Sequence, residues 1–466
     1  MEAAAGPERG AAGVRARALV LVAVLGALAA APSGAQAPPS AQAPAGAQEG
    51  GGERPWSWAD LGIKGTLTYK GFAHFDEAPN ENRRFRNEGI LELEWERKLG
   101  DAGRLRLVGD ARGDDDEFAD GVHFQIPETT KRRSLLNLKE AVLRLGGERL
   151  QVSLGKQIYS WGTADAVNPT DYLNPYDFLD VLDRQKLGVY AAGYSVTSGP
   201  LSQVFVIVPV FTPSRDQRAR SRWVLQPQEG FVGILDDREL PETTAGHMQY
   251  ATRLRGTFKG FDASLSYFDG YDSTPVLRQA MVSAGFFQVQ KLTPVYTRIK
   301  AVGADVSTTW RKFEFHAEGA AKFVESHGRD DRFQWVAGLN YTFDELPVKW
   351  LERIETILEY SRENILDKRR QSEYGASIGF FSLAFRNALT GRVRFKFNEE
   401  TQLALSGTAD FESDPPGRYL QLKLTRKLTD AFHVEGGFDL IDGPTHTVWG
   451  QWRHNDRAFL TLKYFF

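Results

Sequence analysis

The feature that most constrains this chain is a strict alternation of apolar and polar residues, which recurs from Trp56 onward. In the stretch RFQWVAGLNYTF, for example, every second residue from Phe333 to Phe343 is apolar. Successive side chains of a β-strand point to opposite faces of the sheet, so each such run predicts a strand with one apolar face. About eighteen of these runs, separated by turn residues, predict an all-β fold.

The lengths of the connections carry a second regularity. Short turns, such as those near 98–103 and 428–431, alternate with connections that are mostly long and polar, such as 114–131, 163–185 and 212–244. One end of the sheet therefore carries short connections and the other end long ones. This arrangement predicts an even number of strands, with both termini at the end that carries the short connections. Outer-membrane barrels have this asymmetry, with short periplasmic turns and long external loops.

The two faces of the predicted strands indicate which solvent each side meets. Glu92, Glu94 and Glu96 share one face of a strand, and Arg104 and Arg106 share a face of the next. A soluble sandwich would bury the apolar faces against a second sheet. However, runs of ten to fourteen residues with aromatic ends match strands that cross hydrocarbon. Hydrocarbon satisfies no backbone polar group, so we predict a single closed antiparallel transmembrane β-barrel.

The first residues predict export. ALVLVAVLGALAAA, residues 18–31, is a short apolar run preceded by arginines and followed by small residues, which is typical of a secretory signal peptide. We therefore divide the chain into a signal peptide (1–35), a disordered Pro/Ala/Gly-rich lead-in (36–55) and the barrel (56–466). The chain has no cysteine, so neither a disulfide framework nor a lipidated cysteine is expected. Its formal net charge of −3 argues against nucleic-acid binding.

Two stretches resemble a known group of proteins. The chain ends in RAFLTLKYFF, where Ala458, Leu460, Leu462, Tyr464 and Phe466 fall on alternate positions. This ending resembles the last strand of Gram-negative outer-membrane proteins, in which a terminal aromatic is recognised by the barrel-assembly machinery. The resemblance implies that Leu460, Leu462, Tyr464 and Phe466 form a membrane-insertion signal.

The second stretch is GKQIYSWGTADAVNPTDYLNPYDF, residues 155–178. It resembles a signature of porin-like outer-membrane barrels that are loosely akin to alginate-export-type channels, and the ending from Trp449 is similar to theirs. These segments cover about forty residues, and the remainder agrees in architecture alone. The resemblance implies transport across the cell outer membrane without identifying the cargo.

A barrel of about eighteen strands encloses a lumen wider than side chains can fill. The predicted lumen-facing groups carry both charges. They are Glu92, Glu94, Glu96, Arg104, Arg106, Arg112, Arg392, Arg394 and Lys396. These groups either act on passing solutes or only satisfy one another across neighbouring strands. Mutual pairing is the favoured interpretation for the Glu and Arg strands. The stripe 392–396 has no obvious acidic neighbour, so there the two interpretations stay open.

The connection from Tyr159 to Leu187 is the predicted constriction. It contains two Asn-Pro-x-Asp units, at 168–171 and 174–177, whose prolines and side-chain caps favour an ordered loop. Folded inward, this loop would narrow the lumen with four of its side chains. They are Tyr172, Tyr176, Asp177 and Asp180. The alternative is a well-capped loop that only stabilises the rim.

No catalytic, metal or cofactor site is predicted, since the chain contains no HExxH, Walker loop or nucleophile elbow. We therefore expect a non-enzymatic porin-like channel or export conduit for small polar solutes or an exported polymer or lipid. An outer-membrane enzyme acting on lipid or polysaccharide, and a non-conducting structural or adhesion barrel, are the alternatives. The expected partners are outer-membrane lipid and the barrel-assembly machinery.

Overall fold

The structure is a computed structural model, and it describes the following residues: 62–116, 118–123, 126, 128–217, 221–224, 233–235, 237–284, 287–325, 328–369, 374–377 and 383–466. The signal peptide (1–35) and the lead-in (36–55) lie outside the described residues, so both stay predictions.

The described residues form one antiparallel sheet of 18 strands in which each strand pairs with its neighbours along the chain. The strands are β1 Ile63–His74, β2 Phe85–Lys98, β3 Gly103–Asp114, β4 Leu136–Gly146, β5 Leu150–Gln157, β6 Val189–Ser198, β7 Leu201–Val208, β8 Gln249–Phe258, β9 Phe261–Tyr271, β10 Arg298–Trp310, β11 Phe313–Val324, β12 Asp331–Phe343, β13 Arg353–Asp367, β14 Asn387–Lys396, β15 Thr401–Asp410, β16 Gly417–Lys427, β17 Phe432–Asp442 and β18 Arg457–Phe465.

The sheet closes because its last strand pairs with its first. Thr66 lies opposite Phe465 and His74 lies opposite Arg457, in antiparallel register. Beyond the last strand, Gly65 and Phe466 exchange two backbone hydrogen bonds, at 2.8 and 3.0 Å. Closure leaves no unpaired edge, and the predicted all-β, closed antiparallel barrel of about 18 strands is confirmed.

Alternation along each strand separates an apolar outer face from a polar lumen face. On β9, Leu265 and Tyr267 point outward and are 63% and 38% exposed, whereas Ser264 and Ser266 point inward and are buried. The outer face of the other strands likewise exposes large apolar side chains, such as Val302 on β10 and Leu358 on β13. Large apolar side chains thus cover the outside of the barrel, while charged and hydroxyl groups line its interior except at two apolar clusters.

The connections alternate between the two ends of the barrel. One end, here the short-turn end, carries 99–102, 147–149, 199–200, 259–260, 311–312, 344–352, 397–400 and 428–431. The other, here the long-loop end, carries 75–84, 115–135, 158–188, 209–248, 272–297, 325–330, 368–386, 411–416 and 443–456. The connection at 75–84 was not predicted as a link between strands.

The long connections contain short elements of their own. Strands Val276–Ala284, Phe287–Val295, Gly233–Leu235 and Tyr374–Ser377 form a separate sheet, and Tyr176–Asp177 pairs with Gln185–Lys186. One short α-helix, Val448–Gln451, and three 3-10 turns, Val181–Asp183, Ala245–His247 and Arg453–Asn455, complete the described structure. Among the described residues, no helix has the length and apolar character needed to cross a membrane.

Two apolar clusters lie inside the barrel toward the long-loop end. In the first, Trp161 and Leu173 from the connection 158–188 pack on lumen-facing residues of β6–β11, including Val206 and Phe268. In the second, Trp223, Trp449 and Trp452 pack with residues that include Val181 and Phe385. Segments of the long connections are therefore packed into the barrel as a core instead of lying over its rim.

Candidate functional site

The connection 158–188, here called the crossing segment, runs through the lumen and is ordered by its own asparagines. Asn174 accepts a hydrogen bond from the backbone N–H of Tyr159 at 2.7 Å and donates to the carbonyls of Gln157 and Leu187 at 3.1 and 2.7 Å. This one side chain joins the two ends of the segment, where it leaves β5 and enters β6. Asn168 donates to the carbonyl of Ala164 at 2.7 Å and closes the tip of the segment.

On one wall of the lumen, two carboxylates hold the tip by its backbone. Glu318 on β11 accepts from the N–H groups of Thr163 and Ala164 at 2.6 and 3.2 Å. Glu359 on β13 accepts from the next two N–H groups, those of residues 165 and 166, at 2.7 and 2.8 Å. Four successive backbone donors therefore face two lumen carboxylates, which are strong acceptors for such groups.

His316 on β11 contacts the second of these two carboxylates: its Nε2 lies 2.8 Å from Glu359 Oε1. Gly162 precedes the tethered residues and has φ of +94°; a Cβ atom there would lie 2.5 Å from the Glu318 carboxylate. Glycine at 162 thus permits both the left-handed backbone conformation and the close approach to Glu318.

On the opposite wall, the segment is held by buried ion pairs. Asp180, which is fully buried, lies 2.6 Å from a guanidinium nitrogen of Arg86 on β2 and 2.7 Å from one of Arg457 on β18. Arg457 in turn pairs with Asp439 on β17 at 2.8 Å. In an 18-stranded ring β2 and β11 lie diametrically opposite, so the anchors span the lumen.

A second buried carboxylate of the segment binds the neighbouring connections. Asp177 accepts from Arg133 at 2.9 and 3.2 Å and from Arg215 at 3.0 Å. Arg133 also reaches Glu88 on β2 at 2.9 Å. The segment is consequently tied to the barrel wall and to the connections 115–135 and 209–248.

These contacts set the ionisation of the segment. Burial disfavours charge on Asp177, but the guanidinium groups of Arg133 and Arg215 outweigh it and hold the pKa of the carboxyl below its ordinary value. Asp180 behaves in the same way: Arg457 and Arg86 outweigh its burial and lower its pKa. Burial raises the pKa of Tyr172 to about 12, so its hydroxyl stays protonated.

The crossing segment leaves cavities on both of its sides. Toward the long-loop end, a cavity of about 180 Å³ lies between Asn168–Arg184 and the wall formed by β9–β13. Toward the short-turn end, a cavity of about 410 Å³ lies against strands β1–β4 and β16–β18 and the turn Val181–Asp183. A third, of about 210 Å³, extends from residues 165 and 166 along β13–β16. The lumen is divided, not filled, by the segment.

The four side chains predicted for the constriction have different surroundings. Tyr172 donates to or accepts from Ser266 at 2.9 Å and stacks on Phe268, with ring centroids 5.5 Å apart. Tyr176 donates to Asp171 at 3.1 Å. Both tyrosines line the 180 Å³ cavity. Asp177 and Asp180 are 2% and 0% exposed and serve as anchors of the segment, because arginines enclose their carboxylates.

The predicted Glu and Arg strands pair with each other at the short-turn end. Arg104 lies 3.0 Å from Glu96, and Arg106 lies 3.2 Å from Glu94. Glu92 pairs with Lys139 on β4 at 2.6 Å. These groups face the lumen and satisfy one another; the two pairs between β2 and β3 are diagonal, since Arg106 lies directly opposite Glu96.

Arg112 belongs to the same predicted set but lies deeper in the barrel. It is 8% exposed, forms an ion pair with Asp110 and lies 3.8 Å from Glu88. This arginine is therefore part of the buried network that surrounds the anchors of the crossing segment.

The view that the stripe 392–396 lacks an acidic neighbour was wrong. Arg394 lies 2.7 Å from Glu355 on β13, Lys396 lies 3.1 Å from Glu352, and Arg392 lies 3.3 Å from Asp165 at the tip of the crossing segment. The acidic residues of β13 alternate with its apolar ones at 355, 359 and 363, and the antiparallel register brings Glu355 directly opposite Arg394.

The four residues of the predicted insertion signal lie at the closure of the barrel. Leu460, Tyr464 and Phe466 point outward and are 39%, 47% and 39% exposed. Leu462 shares their face and lies opposite Tyr69 of β1. Their recognition by an assembly machinery stays a prediction.

The residues that hold the segment to the walls were not identified from the sequence. Glu318, Glu359, Arg86 and Arg457 belong to four different strands that lie far apart in the sequence, but in the barrel all four face one lumen. Their lumen-side position in an alternating strand was the available signal, but their partners lie far away along the chain. In the described part of the chain, no group of three or more His, Cys, Asp or Glu residues is arranged to hold a metal ion.

No protein-family model and no curated protein matches the chain. Among solved structures, it is similar to Wzi, an outer-membrane protein involved in group 1 capsule assembly in Escherichia coli and described as a carbohydrate-binding β-barrel. The TM-score is 0.47 at 8% identity, over 87% of this chain and 84% of that one. The chain is also similar to OccK11 (OpdR) of Pseudomonas aeruginosa, with a TM-score of 0.45 at 9% identity, over 86% and 95% of the two chains.

A third similar structure is OmpF of Salmonella typhi, solved in complex with daunomycin, with a TM-score of 0.40 at 10% identity, over 88% and 99% of the two chains. These structural neighbours are outer-membrane β-barrel proteins. Similarity at this level concerns the barrel architecture and carries no argument about cargo or ligand. The likeness to alginate-export-type channels stays a prediction.

Proposed function

We propose that this chain is an outer-membrane channel for small polar solutes, in which the crossing segment forms the selective constriction. The observation that supports this most directly is the division of the lumen: a tethered segment separates a cavity of about 180 Å³ from cavities of about 410 and 210 Å³. A barrel of 16–18 strands has room for an aqueous passage, and an inward loop narrows it.

The anchoring of the segment favours small solutes over polymers as cargo. The segment is held on both walls, by Glu318 and Glu359 on one side and by Arg86 and Arg457 on the other. Moving it aside would separate these buried ion pairs and leave charges in the wall without their partners, which is costly. A passage narrowed in this way admits molecules of the size of the cavities, whereas a polymer would require a wide and continuous lumen.

Conductance in planar lipid bilayers tests the proposal. We expect the purified chain to insert and give stepwise currents in salt solution, with a conductance that rises when the tip is released by Glu318→Gln combined with Glu359→Gln. A matched control is Glu314→Gln, which changes an exposed glutamate on the same strand. Inserted protein that conducts no ions under any applied voltage would contradict the proposal.

The membrane location belongs to the same proposal and is supported by the apolar outer face and the closed edge of the sheet. We propose the outer membrane of a Gram-negative cell, reached through the signal peptide and the barrel-assembly machinery. We also propose that the chain is not an enzyme. Hydrolysis of lipid or polysaccharide by the purified protein, abolished by a single serine or histidine substitution, would overturn that part.

A further inference from the structure

The 180 Å³ cavity at the long-loop side of the crossing segment has a chemistry of its own. Basic, amide and tyrosine side chains line it, together with apolar groups such as Ile299 and Val167. It is smaller than the roughly 300–1,000 Å³ of pockets that take drug-sized ligands. A molecule bound here would therefore be small, with both a polar and an apolar part.

The four carboxylates that line the cavity already have partners: Asp171 pairs with Lys186, Asp330 accepts a hydrogen bond from the backbone N–H of Arg369 at 3.0 Å, and the other two pair with arginines. Asp272 lies 2.6 Å from Arg329 and 2.8 Å from Arg332, and its other oxygen accepts from the hydroxyl of Thr274 at 2.7 Å. Glu363 lies 2.9 Å from Arg386. Burial opposes charge on Asp272, but Arg329 and Arg332 hold its pKa below the ordinary value, so it stays ionised. These acids are poorly placed to attract a cation.

Two hydrogen-bond donors that line the same cavity, Lys322 and Gln334, take no part in these carboxylate–arginine pairs. The ammonium group of Lys322 on β11 lies over the ring of Tyr172, 5.9 Å from its centroid, while the nearby carboxylates pair with arginines. Gln334 on β12 is 5% exposed, and its side-chain Nε2 has no hydrogen-bond partner. A buried donor without a partner carries a desolvation cost that an acceptor on a ligand would remove.

The register of the sheet brings these two donors together. Lys322 lies opposite Arg332, and Ala320 lies opposite Gln334, so Lys322 and Gln334 are diagonal neighbours on the lumen face. Such neighbours are within reach of one bound group when one of the side chains is long. Tyr172 and Tyr176 face the same cavity from the crossing segment and offer ring surfaces.

We propose that this cavity binds a small organic carboxylate with an apolar or aromatic body, its carboxylate held by Lys322 and Gln334 and its body placed against Tyr172. This inference rests on the proposed function, because it assigns the solute class that the constriction selects. A carboxylate accepts charge-assisted hydrogen bonds from an ammonium and an amide, and a lysine contributes attraction that a neutral analogue does not receive.

Equilibrium binding to the full, detergent-solubilised chain tests the site without requiring transport. The probes are benzoate, its neutral analogue benzamide, and inorganic phosphate. We expect benzoate to bind at least tenfold more tightly than either of the others. Benzoate and benzamide binding equally would overturn the role of the charge, and phosphate binding as tightly as benzoate would overturn the role of the apolar body.

The decisive variant is Lys322→Gln, which should weaken benzoate binding about tenfold and leave benzamide binding unchanged. The matched control is Lys463→Gln, which removes a lumen lysine that pairs with Glu435 at 2.7 Å near the short-turn end; benzoate binding should not change. Unchanged binding in Lys322→Gln would contradict the site. Should that variant fail to fold, Gln334→Glu, which places a negative charge in the same position, should abolish benzoate binding.

Conductance of the same samples separates this inference from the proposed function. Stepwise currents without a preference for benzoate over benzamide would retain the channel and reject the binding site. Benzoate binding that depends on Lys322, in a protein that conducts no ions, would retain the site and reject the channel.

Discussion

Asp180 shows how single residues place the crossing segment. Its carboxylate is fully buried between Arg86 and Arg457, which come from strands at opposite ends of the chain. A buried ion pair is weak evidence for net stabilisation, since burying both partners costs desolvation. Its geometry is nevertheless specific, because only one position of the segment satisfies both arginines and the carboxylate together.

Replacing Asp180 by Asn should therefore remove the buried carboxylate that Arg86 and Arg457 share, leaving Arg86 with Asp116 and Arg457 with Asp439. We expect the free energy of unfolding to fall by about 3–5 kcal/mol, as when one partner of a buried pair is removed. The measurement is the temperature at which the folded gel mobility is lost. Asp344→Asn, which removes the exposed partner of Lys312, is the control and should leave stability essentially unchanged, because an exposed ion pair is screened by solvent.

The lowered pKa values of Asp177 and Asp180 predict a pH dependence. The folded-state pKa of each carboxyl is depressed below its unfolded value, which is about 3.9. Their stabilisation is then fully present above the unfolded pKa and is lost as the pH falls toward the folded pKa. We expect the wild type to exceed an Asp177→Asn, Asp180→Asn variant in stability by a constant amount from pH 7 to pH 5.

Below about pH 4 this difference between the two proteins should shrink, because the carboxyls of the unfolded chain take up protons there while those of the folded chain are still ionised. Thermal unfolding of both proteins in buffers from pH 7 to pH 3 measures the difference. A difference that already disappears between pH 7 and pH 5 would show that the two carboxyls are not held ionised by their arginines.

At the scale of the element, the crossing segment has two kinds of attachment. Its second half is fixed by buried ion pairs, whereas its tip is fixed by backbone N–H groups that bind Glu318 and Glu359. Charge-assisted hydrogen bonds of this kind weaken when the acceptor loses its charge. The tip is therefore the part that a change in the lumen wall can release while the rest stays anchored.

Gly162→Ala tests the tip through its backbone. The new Cβ would meet the Glu318 carboxylate at 2.5 Å and would stand at a positive φ, which L-residues adopt at a cost. We expect larger fluctuations of the single-channel current, because the tip loses its close contact with the wall. The control is Gly147→Ala in a short turn, where an added Cβ meets no atom within 4 Å. Currents equally steady in both variants would contradict the assignment.

At the scale of the whole molecule, the alternation of faces separates lipid from lumen. On β18, Leu460 points outward and is 39% exposed, while the adjacent Thr461 points inward and lines the 410 Å³ cavity. In a membrane-spanning barrel, an arginine on the lipid face near the midplane costs about 2–4 kcal/mol. An arginine that faces an aqueous lumen has no comparable cost.

The pair Leu460→Arg and Thr461→Arg thus tests which face meets the bilayer. We expect Leu460→Arg to reduce the yield of folded barrel in lipid vesicles strongly and Thr461→Arg to reduce it little, with folding measured by gel mobility before and after heating. Equal yields of the two variants, or the opposite order, would contradict a lipid-facing outer surface.

The sequence by itself determined the architecture, because that depends on local patterns. A period of two gives each strand two different faces. Consecutive runs joined by alternating short and long connections become neighbouring antiparallel strands, as β11 and β12 do. The charged face of β2 and β3 could be paired in advance, since Glu94 and Arg106 lie on consecutive strands. A local pattern therefore determines on which face of the sheet each side chain of a strand lies.

Only the tertiary structure decided how the lumen is organised. Asp180 is far from both Arg86 and Arg457 along the chain, and Glu318 and Glu359 reach the tip of a segment that lies more than a hundred residues before them. Closure of the sheet brings these residues to one interior. Their partners are set by the diameter of the barrel and the path of the segment, which no local periodicity encodes.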